Sequence, residues 1–375
     1  MPFDSAENLE LFPPPRAPIT VRSGPSARRI EHSAPARLEK RERPSAPARF
    51  FDAPSRDFEW AGGVHLSDSV LWCDADRKKE LSFVSSAHAD VVGKKRRILA
   101  TDETVRILTR GSGRIDALTS PFRRPFVLGN LELEMHPSGR MLGAAQLLVR
   151  REKRRLLYTN DFLTQKLATA ERAQPVPCDV IAMPGTFGRR DCRFPERAEV
   201  FERILSFVDD TLEEKANPVL VVPPLGPAQE LMYMLGKRGY RLRVHRGIHD
   251  IAKVYIQLGR DLLGARRLQG QPARDEIVLI PPILRHDATV RAMPKRRLAL
   301  ISGRALDQAY VYQTGVDEAF PLAEAADHQE LLDFVAACGA REIYLTTQAD
   351  ELAEDLRQRG LKVHDLVKPE QLSLF

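Results

Sequence analysis

The stretch from Phe83 to Gly93, Phe-Val-Ser-Ser-Ala-His-Ala-Asp-Val-Val-Gly, constrains this chain most. Leu81–Val84 is an apolar run of the length of one short buried strand, and it empties into a small polar turn that carries His88 and Asp90. A strand that ends in closely spaced His and Asp residues is how a sheet presents metal ligands at its edge. Whether a metal site exists then depends on what the other strand ends bring to the same edge.

The 375 residues are enough for two domains with cores of their own, but not all of them can contribute. Residues 1–55 are rich in Pro, Ala, Ser and Arg, with Pro13-Pro14-Pro15 and a charged run from Arg37 to Arg43, and read as a disordered basic tail. From about Phe58, short apolar runs alternate with turns. Val70–Cys73, Leu81–Val84, Phe126–Met135, Gln146–Val149, Leu156–Thr159 and Val180–Met183 are expected as strands. Between Pro195 and Arg297 helical spacing alternates with buried strands, which predicts a separate α/β layer. Beyond it come strand Leu298–Ile301, helix Gln329–Cys338 with Gly339 as its cap, strand Ile343–Thr346, helix Asp350–Arg359 and strand Lys362–His364. No apolar run approaches the ~20 residues of a membrane span. The N-terminus lacks an apolar signal core, and the four cysteines form no C-x-x-C pair, so a reducing cytoplasm is expected. The net charge of +6 mildly favours a polyanionic partner.

Several stretches resemble the motifs of one family. Ser86-Ala-His88-Ala-Asp90-Val91 resembles the S-H-A-H-A-D-H signature of the metallo-β-lactamase fold. His136-Pro-Ser-Gly-Arg140-Met-Leu-Gly-Ala-Ala-Gln146 resembles P-A-G-H-x-L-G-S-A-Q, and Leu156–Asp161 the strand that ends in G-D. Met183–Gly188 resembles E-S-T-F-G, Ile301-Ser-Gly303 the S-G-W strand, and Asp317–Leu331 the segment around S-D-H-A-D. Together they resemble the β-CASP branch of metallo-β-lactamase-fold nucleases, closest to the ligase-associated DNA exonucleases of bacteria. The resemblance implies an αββα sandwich built from residues 56–194 and 298–367, with residues 195–297 inserted as a β-CASP-like cap.

It also implies where metal ligands belong. Active relatives use two divalent metals to activate a water. Here Ser86 and Val91 stand at two histidine positions, Arg140 at the histidine of P-A-G-H, and Thr346 or Thr347 at a late histidine. Pro184 stands at the glutamate of E-S-T-F-G and Ala325 at the histidine of S-D-H, the general acid. His88, Asp90 and Asp161 remain as a remnant, expected to hold no metal, since a catalytic zinc site needs about three protein ligands. Arg140 is expected to pair with Asp161 or Asp90 instead, and Asp74 either braces the ligand turn or shapes its own. No cofactor and no catalytic residue is therefore expected. The alternative is a working exonuclease with an atypical zinc or manganese site, and a further one is a protein-interaction scaffold that does not touch nucleic acid.

Two features point to partners. Arg150, Arg151, Arg154 and Arg155 cluster at an expected hairpin tip and are candidates for phosphate contact with DNA. Gln371-Leu372-Ser373-Leu374-Phe375 resembles the pentapeptide by which bacterial repair and replication proteins bind the sliding clamp, and follows Pro369 in a short tail from 368 to 375. Asn8-Leu9-Glu10-Leu11-Phe12 is a near copy of it. The expectation is a catalytically inactive DNA-repair or replication accessory factor, tethered to the clamp, in contact with DNA and other repair proteins and with no membrane.

Overall fold

The computed structural model describes residues 56–88, 97–110 and 115–366. The expected basic tail, Asp90 and Val91, and both clamp-like pentapeptides lie outside these residues. In chain order the first strands are β1 (Phe58–Trp60), β2 (Val64–Leu66), β3 (Leu71–Cys73), β4 (Leu81–Phe83) and β5 (Ile98–Ala100), then helix α1 (Asp102–Leu108) and β6 (Ala117–Thr119). They form one sheet in sequence order, antiparallel through β3 and parallel from β3 onward. Next come β7 (Phe126–Leu128), β8 (Leu131–Pro137), β9 (Ala145–Arg151), β10 (Arg154–Tyr158) and β11 (Val180–Met183), neighbours in a second sheet.

Period-two alternation decides which face each strand buries. Leu131, Leu133 and Met135 of β8, Leu147 and Val149 of β9, and Leu156 and Tyr158 of β10 share one core with Phe58, Leu66, Leu71, Phe83 and Leu99 of the first sheet. The two sheets therefore face each other. Val84, Ile98 and Ala100, with half-buried Val105 and Leu108 of α1, cover the outer face of the first sheet.

A third sheet follows. Its elements are α2 (Arg197–Glu213), β12 (Asn217–Val221), α3 (Pro227–Lys237), β13 (Arg241–Val244), α4 (Arg246–Gln257), β14 (Ala265–Arg267), β15 (Glu276–Ile280), α5 (Ala288–Arg291), β16 (Arg296–Ile301), α6 (Gln308–Thr314) and β17 (Glu318–Phe320). The strands are all parallel in the order β14-β13-β15-β12-β16-β17. A parallel sheet buries both faces, which is why Val219–Val222 and Ile277–Ile280 read as unbroken apolar runs. α2, α3 and α4 cover one face, and residues of α5 and α6 the other. The chain then returns to the second sheet through α7 (His328–Cys338), β18 (Glu342–Leu345), α8 (Asp350–Gln358) and β19 (Lys362–Asp365), which extend it as β19-β18-β11. α7 and α8 pack Leu332, Phe334, Val335, Leu352 and Leu356 on its outer face. Gly339 ends α7 in the left-handed region, at φ +72, as expected. Among the described residues no helix is long and apolar enough to cross a membrane.

Two expectations need correction. Phe126–Met135 is not one strand, because the chain reverses at left-handed Gly129 and pairs Leu128 with Leu131. The third sheet also does not stop at Arg297. β16 pairs with β12 along its length, and β17 adds beyond it, so this layer runs to Phe320. An apolar run such as Leu298–Ile301 carries no mark of which sheet it joins.

Candidate functional site

The site lies where the turns after β4, β8, β10, β11, β16 and β18 meet. Its brace is Asp74, which follows β3. One carboxylate oxygen accepts from the Ser85 amide at 2.9 Å, and the other from the Tyr158 hydroxyl at 2.9 Å and the Asn160 amide group at 3.1 Å. Asp74 itself is left-handed, at φ +43, a conformation costing roughly 1–2 kcal/mol outside glycine. Three hydrogen bonds hold it there, so it both turns the chain and ties the turn after β4 to β10. Next to it, Asn160 Oδ1 accepts from the Asp161 amide at 2.8 Å and aims that residue.

Asp161 is paired. Arg140 Nη1 lies 3.3 Å from its Oδ2, with only 18% and 15% of the two side chains exposed. The Thr186 hydroxyl donates to its Oδ1 at 2.6 Å. Glu324 stands nearby: its Oε1 accepts from the Ser302 hydroxyl at 2.7 Å and the Gly303 amide at 2.9 Å. Burial pushes the Glu324 carboxyl up, those two donors and Arg140 pull it down, and the charge of Asp161 adds to the rise. His88 is exposed as a residue, and desolvation, then the Arg140 charge, shift its pKa downward.

The other positions at which the resemblance implies metal ligands hold Ser86, Pro184, Ala325 and Thr347. Ser86 is buried, Pro184 is buried, and Ala325 is 4% exposed. The Thr347 hydroxyl accepts from the Gly185 amide at 2.8 Å. Gly185–Gly188 closes as a tight turn, with the Gly188 amide on the Gly185 carbonyl at 2.9 Å. The Gly226 amide is taken by Gln229 Oε1 at 2.7 Å and is not free for a phosphate. His136 lies on β8, its Nε2 3.2 Å from Glu134, and is no replacement ligand. His245 caps α4 through Nδ1. Two divalent metals therefore do not fit the described donor set, which holds a guanidinium at its centre.

The arginines of the basic hairpin are ion-paired. Arg150 pairs with Glu132 at 2.7 Å and Glu134 at 2.8 Å, and Arg155 with Asp179 at 3.2 Å. Arg151 and Arg154 converge on Asp57 at 3.0 and 2.8 Å, and Arg154 also reaches Glu342. The four arginines pair with carboxylates brought alongside by β8, β11, β18 and the start of β1. Arg151→Ala with Arg154→Ala is expected to lower stability by roughly 1–3 kcal/mol, because Asp57 is left buried without a partner. Urea unfolding measures it, and an unchanged midpoint would make the cluster a surface decoration.

Asp161, Arg140 and Asp74 are legible in the sequence. Asn160, Thr186 and Glu324 lie inside stretches that resemble the motifs, but as a set they are not legible, since nothing local says that their side chains meet.

No family model matches the chain. It is 33% identical over 325 residues to a protein named Probable DNA ligase from Opitutus terrae, across 85% of this chain and 32% of that one. It is 24% identical over 197 residues to Transcription termination factor FttA of Methanocaldococcus jannaschii, 50% of this chain and 29% of that one. It is 30% identical over 116 residues to Ribonuclease TTHA0252 of Thermus thermophilus, 31% of this chain and 26% of that one. The chain spans about a third or less of the length of these relatives.

Proposed function

We propose that this chain is a nuclease-like protein of the β-CASP branch of the metallo-β-lactamase fold that holds DNA without cleaving it and serves repair or replication from the sliding clamp. The relatives' names, a DNA ligase, a ribonuclease and a transcription termination factor, are consistent with that family and point to nuclease-like work on nucleic acid. The facing sheets with outer helices, and a third sheet between their two parts, suit a sandwich with an inserted cap.

The observation that carries the reading is the Arg140–Asp161 pair. At the strand end where the resemblance asks for a metal-binding histidine stands a permanent cation, bonded to the surviving bridging aspartate. A fixed positive charge there repels a divalent metal, and Ser86, Pro184, Thr347 and Ala325 supply no compensating ligands.

Clamp attachment rests on Gln371–Phe375. Leu372, Leu374 and Phe375 supply apolar area for a pocket and Gln371 an amide to orient it, as a peptide anchor needs. If Asn8–Phe12 binds as well, two tethered contacts on a ring gain avidity of ~10²-fold or more.

The purified full chain is expected to bind DNA with an affinity that falls steeply with salt, and to show no phosphodiesterase turnover in zinc or manganese. Turnover that is lost in Asp161→Asn would overturn the silent-site reading. Leu374→Ala with Phe375→Ala is expected to abolish binding to the sliding clamp and leave DNA affinity intact; equal clamp binding by both forms would rule out attachment through this tail.

A further inference from the structure

Helix α6, between β16 and β17, carries an exposed aromatic ring set between two cations. Its inner side is Tyr310 and Val311, which pack on the core shared with α5, and Thr314, which is buried. Tyr312 is turned about 200° from Tyr310 around the helix and so stands on the opposite side. It has 89% of its surface exposed, more than any other large apolar or aromatic side chain among the described residues. Tyrosine is enriched where a protein meets a partner, because the ring is apolar and its hydroxyl tolerates water.

A guanidinium marks each end of the helix. Exposed Arg304 has its Cζ 3.6 Å from the centroid of the Tyr310 ring, a stack that leaves the N–H donors at its edge. Arg285 donates through Nε to the Thr314 carbonyl at 3.2 Å and through Nη1 to the Pro282 carbonyl at 3.2 Å. Among the described residues neither arginine pairs with a carboxylate. The neighbouring aspartates are engaged as helix caps: Asp307 accepts from the Ala309 amide at 2.9 Å and the Tyr310 amide at 3.2 Å, and Asp287 from the Thr289 amide at 2.8 Å. Arg285 and Arg304 follow the carboxyl ends of β15 and β16, the end at which open parallel sheets take ligands.

We propose that α6 is a platform for a single strand of DNA, on which a base stacks against the Tyr312 ring while Arg304 and Arg285 meet the phosphates to either side. The proposal rests on the DNA-holding reading above and adds a surface that does part of the holding. Ring and charge together favour this occupant. Every base has a face to stack and every linkage a charge, so an aromatic ring between cations grips a single strand whatever its sequence. A duplex keeps its base faces inside the stack and would meet only the arginines. The seven residues of α6 span about 10 Å, room for a short stretch of strand.

The test is fluorescence anisotropy of a labelled thymidine oligonucleotide, and of a labelled duplex, titrated with the full chain over a series of KCl concentrations. Tyr312→Ala is expected to weaken single-strand binding about tenfold, to leave duplex binding as it is, and to melt with wild type because the ring is exposed. Tyr312→Phe keeps the ring face and is expected to bind as wild type does. Arg304→Ala is expected to flatten the logarithmic salt dependence of single-strand binding by about 0.7, the share of one phosphate contact. Single-strand binding by Tyr312→Ala equal to that of wild type overturns the inference and leaves the DNA-holding reading standing. So does an equal loss on duplex and single strand, or an unchanged salt slope in Arg304→Ala. Unchanged DNA binding with a dimer that sediments as a monomer in Tyr312→Ala also overturns it, and makes this face a contact between copies of the chain. Failure of wild type to bind either DNA overturns both readings.

Discussion

Replacing Gly139 by alanine is expected to lower stability by more than ~4 kcal/mol, enough to leave little folded protein. Gly139 is left-handed, at φ +75, which alone costs an alanine roughly 1–2 kcal/mol. Steric overlap costs more. A Cβ there would overlap the Leu163 carbonyl oxygen and stand 2.6 Å from the Ala173 amide nitrogen and 3.1 Å from the Arg172 carbonyl carbon. These are backbone atoms, and they cannot swing aside as a side chain does. The Ala173 amide donates to Leu163 at 2.8 Å, and the Leu163 amide to Ser138 at 2.8 Å, so the methyl would land on hydrogen bonds between three segments. Gly129→Ala is the control. It is also left-handed, at φ +60, but nothing stands within 4 Å of the place its methyl would take, so it bears only the cost of the conformation. Urea unfolding of both variants separates overlap from conformation, and equal losses would show that conformation alone matters. Gly139 precedes Arg140, so the close approach that forbids a side chain is also what seats the guanidinium at the edge.

What is legible in the sequence follows from the range of the forces involved. Strand Val180–Met183 and the helix ended by Gly339 are readable because apolar period and turn chemistry are local. The positions of His88 and Asp161 are readable because each follows an apolar run. The partners of the hairpin arginines are not readable, because the sign of a local charge run says nothing of what it pairs with. Asp57 lies 94 residues from Arg151 in sequence, and Glu132 becomes the neighbour of Arg150 only through the β8–β9 register. The extent of the third sheet is hidden for the same reason, since pairing of Leu298–Ile301 with β12 is a choice between two buried sheets. Glu324 and Asn160 are hidden because a polar residue in a loop is ordinary until a second loop arrives beside it.

Glu230→Ala is expected to cost about 3–5 kcal/mol, the usual penalty for removing one partner of a buried charge pair. Glu230, on α3, has 5% of its side chain exposed and faces Arg197 of α2, 9% exposed, at 3.6 Å. It also accepts from the Ala168 amide at 3.0 Å, from the Thr169 amide at 2.7 Å and from the Thr169 hydroxyl. Arg197 in turn donates to the Ala323 carbonyl at 3.1 Å and lies over the Phe201 ring. Burial pulls the Arg197 pKa down, and Glu230 holds it up. Without the carboxylate, a sheltered guanidinium loses its counter-charge and two backbone amides lose their acceptor. Glu230→Gln keeps the shape and one acceptor oxygen, so a smaller loss is expected. Arg197→Met added to Glu230→Ala is expected to recover part of the stability, because it removes the stranded charge; full additivity in that cycle would show that the two residues do not act as a pair. The consequence reaches the site. Ala323 adjoins Glu324, and Ala168 and Thr169 follow Asp161 on the same connection. Hydrogen exchange at the 168 and 169 amides is therefore expected to accelerate in Glu230→Ala beyond the change at the α7 amides, since the network that joins the third sheet to the sandwich also fixes the turns that hold Arg140 against Asp161.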